Sequence, residues 1–123
     1  MKTKLKILLL LAACAIVFII SCKKENGSRF EISFANNATE GTADSIGAFT
    51  LTGHISSRVA LEQVTLTKQG EAGAFLVDES TAKSKNEYDF SYLITGITAN
   101  TTIVMDVYDQ YGSKCSALFL IRK

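Results

Sequence analysis

From Arg29 onward the apolar residues fall on alternate positions, and this period of two constrains the fold more than any other feature of the chain. Phe30, Ile32 and Phe34 alternate with Glu31 and Ser33, and Phe49, Leu51, Gly53 and Ile55 alternate in a second run. Successive side chains of an extended strand point to opposite faces, so each run offers one apolar face to a core and one polar face to solvent. Further runs follow at 61–68, 74–78, 87–95, 102–109 and 114–122, separated by Gly, Asn, Asp and Ser clusters. No segment after residue 29 carries a helical stripe. Seven short strands in about 95 residues predict an all-β domain of two antiparallel sheets packed face to face. The same alternation permits a small closed barrel as the alternative.

The amino-terminal segment is of another kind. Lys2, Lys4 and Lys6 precede an apolar run at 7–20, and Ser21 stands immediately before Cys22, the order of a secretory signal. Crossing a bilayer takes about 20 apolar residues, and this run stops at 14. Ile19-Ile20-Ser21-Cys22 resembles the lipobox of bacterial lipoproteins, which is cut after a diacylglycerol is attached to the cysteine. The resemblance implies that residues 1–21 are a cleaved signal peptide, that Cys22 becomes the lipidated first residue, and that the protein meets a membrane through that lipid. An uncleaved anchor is the other reading. Each buried methylene contributes about 0.8 kcal/mol and a single acyl chain holds weakly; the two or three chains of such a lipoprotein hold firmly.

Residues 22–28 read as a lipidated cysteine and a short polar tether, with the domain proper at 29–123. The charges of Lys23-Lys24-Glu25 resemble those of lipoproteins sorted to the Gram-negative outer membrane, often to its surface, although a generic solvated tether has the same composition. Seven residue steps from Cys22 to Arg29 span at most roughly 25 Å, which keeps the domain near its membrane.

The leader holds three of the thirteen basic residues and none of the twelve acidic ones, so the remainder carries ten against twelve. A net charge near minus two supplies no basic field for nucleic acid. About 100 residues can bury a self-sufficient core. With Cys14 inside the leader and Cys22 committed to lipid, only Cys115 remains, and a domain without disulfides is expected.

The stretches Leu51-Thr-Gly-His-Ile, Leu61-Glu-Gln-Val-Thr-Leu and Ile103-Val-Met-Asp-Val-Tyr-Asp-Gln-Tyr-Gly112 resemble the immunoglobulin-like modules of bacterial surface proteins. That resemblance implies an immunoglobulin-like sandwich; the chain has no Trp, so the antibody-type core of a Trp on a disulfide is excluded. Such modules serve as adhesins, glycan binders and spacers, so the resemblance speaks to fold and leaves function open.

Turn chemistry sets the register of the last hairpin. A type I turn over Asp109-Gln110-Tyr111-Gly112 with Gly112 left-handed pairs Asp109 with Ser113, Val107 with Cys115, Met105 with Ala117 and Ile103 with Phe119. All these apolar residues then share one face, whereas a two-residue loop would set Val107 against Lys114. Cys115 thereby becomes a small core residue.

Chemistry is sparse. His54, the only histidine, falls on the face opposite Leu51 and Ile55 with no base or nucleophile beside it in sequence. Asp78 with Glu79, and Glu87 with Asp89, are carboxylate pairs of the type used in glycoside hydrolysis, yet they read as solvated loop groups. Asp106 and Asp109 lack the further oxygen ligands of a calcium loop. There is no phosphate loop, zinc spacing or dinucleotide fingerprint. No enzyme, cofactor or metal is expected.

Surfaces remain. Opposite the core face of the last hairpin, Val104 stands across from Leu118 and Leu120 across from Thr102, an apolar outer patch that a partner would cover. Tyr108 and Tyr111 flank the hairpin turn and offer apolar area with a hydroxyl. In this strand order the turn lies at the end where the first strand enters. The other end carries 36–46, 68–73 and 95–100, and loops on a rigid sandwich commonly bind. Asp44-Ser45-Ile46 resembles an O-glycosylation acceptor of exported bacterial proteins, which makes Ser45 a candidate for modification. A non-enzymatic envelope module binding a protein or glycan is the leading expectation. An accessory subunit of an outer-membrane or secretion complex is the second.

Overall fold

The computed structural model describes the backbone of residues 21–23 and 29–123, with side chains from Phe30 onward. The apolar leader, residues 24–28 and the sulfur of Cys22 therefore lie outside the described residues. Among the described residues there are nine strands: β1 (Ser21–Lys23), β2 (Arg29–Phe34), β3 (Glu40–Thr42), β4 (Phe49–Ser57), β5 (Leu61–Lys68), β6 (Leu76–Asp78), β7 (Glu87–Ile94), β8 (Thr101–Asp109) and β9 (Lys114–Arg122). They form two open sheets, ordered β1-β2-β4-β7 and β3-β9-β8-β5-β6. The sandwich reading holds and the closed barrel does not. No helix among the described residues is long and apolar enough to cross a membrane.

Alternation builds the core as expected. In β7, Tyr88, Phe90, Tyr92 and Ile94 are buried while Glu87, Asp89, Ser91 and Leu93 are exposed. Phe30, Ile32, Ile55, Leu61, Val64, Leu66, Ile103, Met105, Val107 and Ile121 are fully buried. An aromatic cluster joins the sheets. Phe34 lies edge-on to Phe90 at 6.0 Å and 4.9 Å from Phe119, which in turn meets Phe49 at 5.4 Å. Such ring pairs add roughly 0.5–1.5 kcal/mol each beyond the area they bury.

The last hairpin has the three-residue loop. Val107 pairs with Cys115, Met105 with Ala117 and Ile103 with Phe119; Asp109 N–H donates to the Ser113 carbonyl at 3.0 Å and Gly112 has φ +83°. Cys115 is a core residue, 1% exposed, with its sulfur 3.9 Å from the Phe30 carbonyl oxygen. It is also disulfide-bonded, which corrects the expectation of a disulfide-free domain. The chain's other cysteines are Cys14 and Cys22, and Cys22 pairs in β1 with that same Phe30. Alternation places a cysteine in the core but is silent on which distant residue the fold brings beside it.

Two strands lie outside the expected seven. β1 pairs antiparallel with β2, so Cys22 and Lys23 stand in a ladder at positions read from sequence as tether. β3 runs parallel to the end of β9, Glu40 against Leu120 and Thr42 against Arg122. Glu40-Gly41-Thr42 shows no alternation. Its central Gly41 lies against the Phe49 ring, which a Cβ there would meet at 2.5 Å.

Candidate functional site

Strand directions separate two ends. The entry of β2, residues 58–60, residues 79–86 and the 110–113 turn share one end. The far end carries 35–48, 69–75, 95–100 and Lys123, the loops expected from sequence to face away from the tether.

At the near end Asp109 caps its own turn, its Oδ1 accepting from the N–H groups of Tyr111 at 2.9 Å and Ser113 at 3.0 Å. Tyr111 projects with 83% of its surface exposed. Tyr108 is half-buried across from Lys114, so the turn does not present the two tyrosines alike. Backbone bonds tie this end together: Gln110 N–H donates to Ala60 and Ser84 N–H to Leu61.

The outer face of the five-stranded sheet carries the expected apolar pair. Val104 pairs with Leu118, and Leu118 is 52% exposed. Leu120 is half-buried beside Glu40 of β3, which narrows the patch at that edge. Two residues passed over in the sequence extend it at the other edge: Phe75 and Val77 are exposed hydrophobics, Val77 lying opposite Thr65. The signal for them was the 74–78 run itself, whose outward positions are apolar.

The structure assembles two polar clusters that sequence spacing hid. On the outer face of the four-stranded sheet, His54 of β4 lies between carboxylates of β7, its Nδ1 2.6 Å from Asp89 Oδ1 and its Nε2 2.9 Å from Glu87 Oε1. Ser56 donates to the other Glu87 oxygen at 2.6 Å. The hydrogen bond that Glu87 accepts, then the one that Asp89 accepts, raises the imidazole pKa above its ordinary value, and Ser56 and His54 lower that of Glu87. Each ring nitrogen already faces a carboxylate and the serine hydroxyl is turned to Glu87. A nucleophile–base pair would need Ser56 on the ring. Glu87 and Asp89 thus sit on a strand, not in a loop, and the pair serves as a clasp between β4 and β7.

Asp78 ends β6 and is 8% exposed. Its Oδ1 accepts from Ser80 N–H at 3.1 Å and Thr81 N–H at 2.9 Å; its Oδ2 accepts from the Thr81 hydroxyl, Tyr92 at 2.7 Å and Tyr88 at 3.2 Å. Burial alone would raise its pKa, but the bonds from Thr81, Tyr92 and Ser80 outweigh burial and hold it well below the usual carboxylate range. Burial is likewise the main cause that pushes the Tyr92 phenol up. This network joins the two sheets and is structural. Asp106 accepts from Ser116 at 2.5 Å, and no group of three or more His, Cys, Asp or Glu side chains among the described residues is arranged so that it could hold a metal ion.

At the far end Asp44, Ser45, Ile46 and Gly47 form a tight turn. Gly47 N–H donates to the Asp44 carbonyl at 3.0 Å, and Asp44 Oδ1 accepts from Ile46 and Ala48. Ser45 is exposed there and Ile46 is 82% exposed. Between residues 68–71 and 96–102 opens a cleft of about 380 Å³ with a largely polar lining.

No family model matches the chain, and no curated protein matches it. Among solved structures, it is similar to fibronectin(III)-like modules of CbhA from Clostridium thermocellum, at 16% identity and a TM-score of 0.50, over 74% of this chain and 93% of that one. With the two open sheets and their strand order, this likeness establishes the fold as a fibronectin(III)-like sandwich of the immunoglobulin type.

Proposed function

We propose that this chain is a lipid-anchored cell-envelope protein whose sandwich acts as a non-enzymatic interaction module for a protein or a glycan. The observation that carries the address is Ile19-Ile20-Ser21-Cys22 at the junction between an apolar leader and a folded sandwich. Lipid on Cys22 holds the domain at its membrane, and Lys23-Lys24-Glu25 favours the Gram-negative outer membrane. The near end then faces the bilayer and the far-end loops face outward. Ser45, on its exposed turn, is the position at which a glycan would be attached.

Fractionation of cells tests the address. Cys22→Ala should move the protein from the membrane pellet to the soluble fraction, and continued pelleting would contradict the proposal. A sulfur in thioether linkage to diacylglycerol cannot also form a disulfide, so intact-mass analysis of the natural product reads which bond position 22 carries. An unmodified residue 22, or one still joined to residues 1–21, sinks the anchor.

A second reading, a permanent accessory subunit of an envelope complex, is favoured by the apolar row of Leu118, Val104, Phe75 and Val77 on the outer sheet face. Purification in mild detergent separates the two. A stoichiometric partner supports the subunit, and a monomer supports the free module.

A further inference from the structure

We propose that the far-end cleft binds a saccharide carrying a single anionic substituent, with Lys68 as the residue that recognises the anion. The inference rests on the interaction-module reading and selects glycan over protein for it. Lys68, Gln69 and Glu71 form one wall; Thr98, Asn100 and Thr102 form the other. A volume of about 380 Å³ falls in the range of roughly 300–1,000 Å³ of small-ligand sites. Those sites are mostly apolar, and a polar lining turns away apolar ligands while matching one that brings its own hydroxyls.

The walls are held before any ligand arrives. Gln69 N–H donates to the Thr102 carbonyl at 2.8 Å and Glu71 N–H to the Lys68 carbonyl at 3.0 Å. Asn100 Oδ1 accepts from Lys123 N–H at 2.9 Å, which leaves its amide N–H groups as donors. Pre-organisation of this kind cuts the ordering cost of binding. Side-chain amides, hydroxyls and a carboxylate set close together present donors and acceptors in alternation, as vicinal sugar hydroxyls do.

The charge is set by Lys68. Its ammonium lies 5.7 Å from the Phe75 ring centroid, within the range of a cation–π contact, and it makes no ion pair with any described residue. The Gly96 turn, at φ +75°, lies beside the ammonium, a Cβ there coming within 3.9 Å of Nζ. A half-buried cation without a carboxylate partner, at the rim of a polar cleft, gains most from a ligand anion. Glu71, on the same wall as Lys68, repels a densely charged chain, which restricts the ligand to one anionic group.

The test uses the detergent-solubilised full chain and amide NMR titration with galacturonate, which carries one carboxylate, neutral galactose and acetate. Galacturonate should shift the amides of 68–71 and 96–102 saturably, and galactose should bind about tenfold more weakly. Lys68→Gln should cost tenfold or more, Lys68→Arg should retain binding, and Glu71→Gln should tighten it two- to threefold, each with an unchanged melting temperature. Unmoved amides, wild-type affinity in Lys68→Gln, or acetate binding as well as the uronate overturns the inference. None of these outcomes touches the anchor, which Cys22→Ala fractionation tests separately.

Discussion

Asp78 and His54 show opposite uses of a charged residue in one domain. Asp78 is buried, and its stabilising bonds are made by the carboxylate. A pKa depressed in the folded state contributes stability above the unfolded value of about 3.9, and that stability is lost as pH falls toward the folded value. Urea midpoints should therefore stay level from neutral pH to about 5 and decline below about 4, with a shallower decline in Asp78→Asn. At neutral pH that variant should be about 2–3 kcal/mol less stable, because charged hydrogen bonds in the interior are lost. A midpoint equal to wild type would show that the network is incidental. His54 is raised instead, so its contribution is complete below about 6.5 and fades as pH climbs through the folded value. Exposure and solvent screening keep that contribution small. Ring-proton NMR should place the His54 titration above its ordinary value, and Glu87→Gln should bring it down; no change between the two proteins would break the clasp. The histidine was visible in sequence, but the carboxylates 33 and 35 residues away become its neighbours only through β4–β7 pairing.

Among the elements, the last hairpin was legible to the residue because one turn and one apolar face demand the same register. β3 and β1 were not legible, since neither has alternation of its own and each exists by pairing with a strand distant in sequence or by closing back on β2. Gly53 in the middle of β4 is a second instance. It alternates inward like a core residue, and a Cβ there would approach the Ser33 carbonyl oxygen at 2.2 Å and the Phe90 ring at 2.5 Å. Gly53→Ala should cost roughly 1–3 kcal/mol through overpacking, measured by chemical denaturation. An alanine variant as stable as wild type would mean the sheet spreads freely at this point.

For the whole molecule, the question is which of its faces meets another. Leu118 and Val77 point outward from different strands of the same sheet, where changes to surface side chains usually alter stability by less than about 0.5 kcal/mol. The double variant Leu118→Lys, Val77→Lys should melt with wild type yet lose a co-purifying partner if the accessory reading is right. Retention of that partner would assign the contact elsewhere, the far-end loops first.

Period-two patterning and turn residues by themselves determined the class of fold, the core strands and the hairpin register, because each is decided by contacts near in sequence or by which face of a strand is apolar. Only the tertiary structure decided the bonding of Cys115, the His54 clasp, the Asp78 network and the cleft at Lys68. Each of those joins side chains from strands or loops far apart in the chain, and their distances are set by how two sheets pack, a quantity that no local spacing encodes.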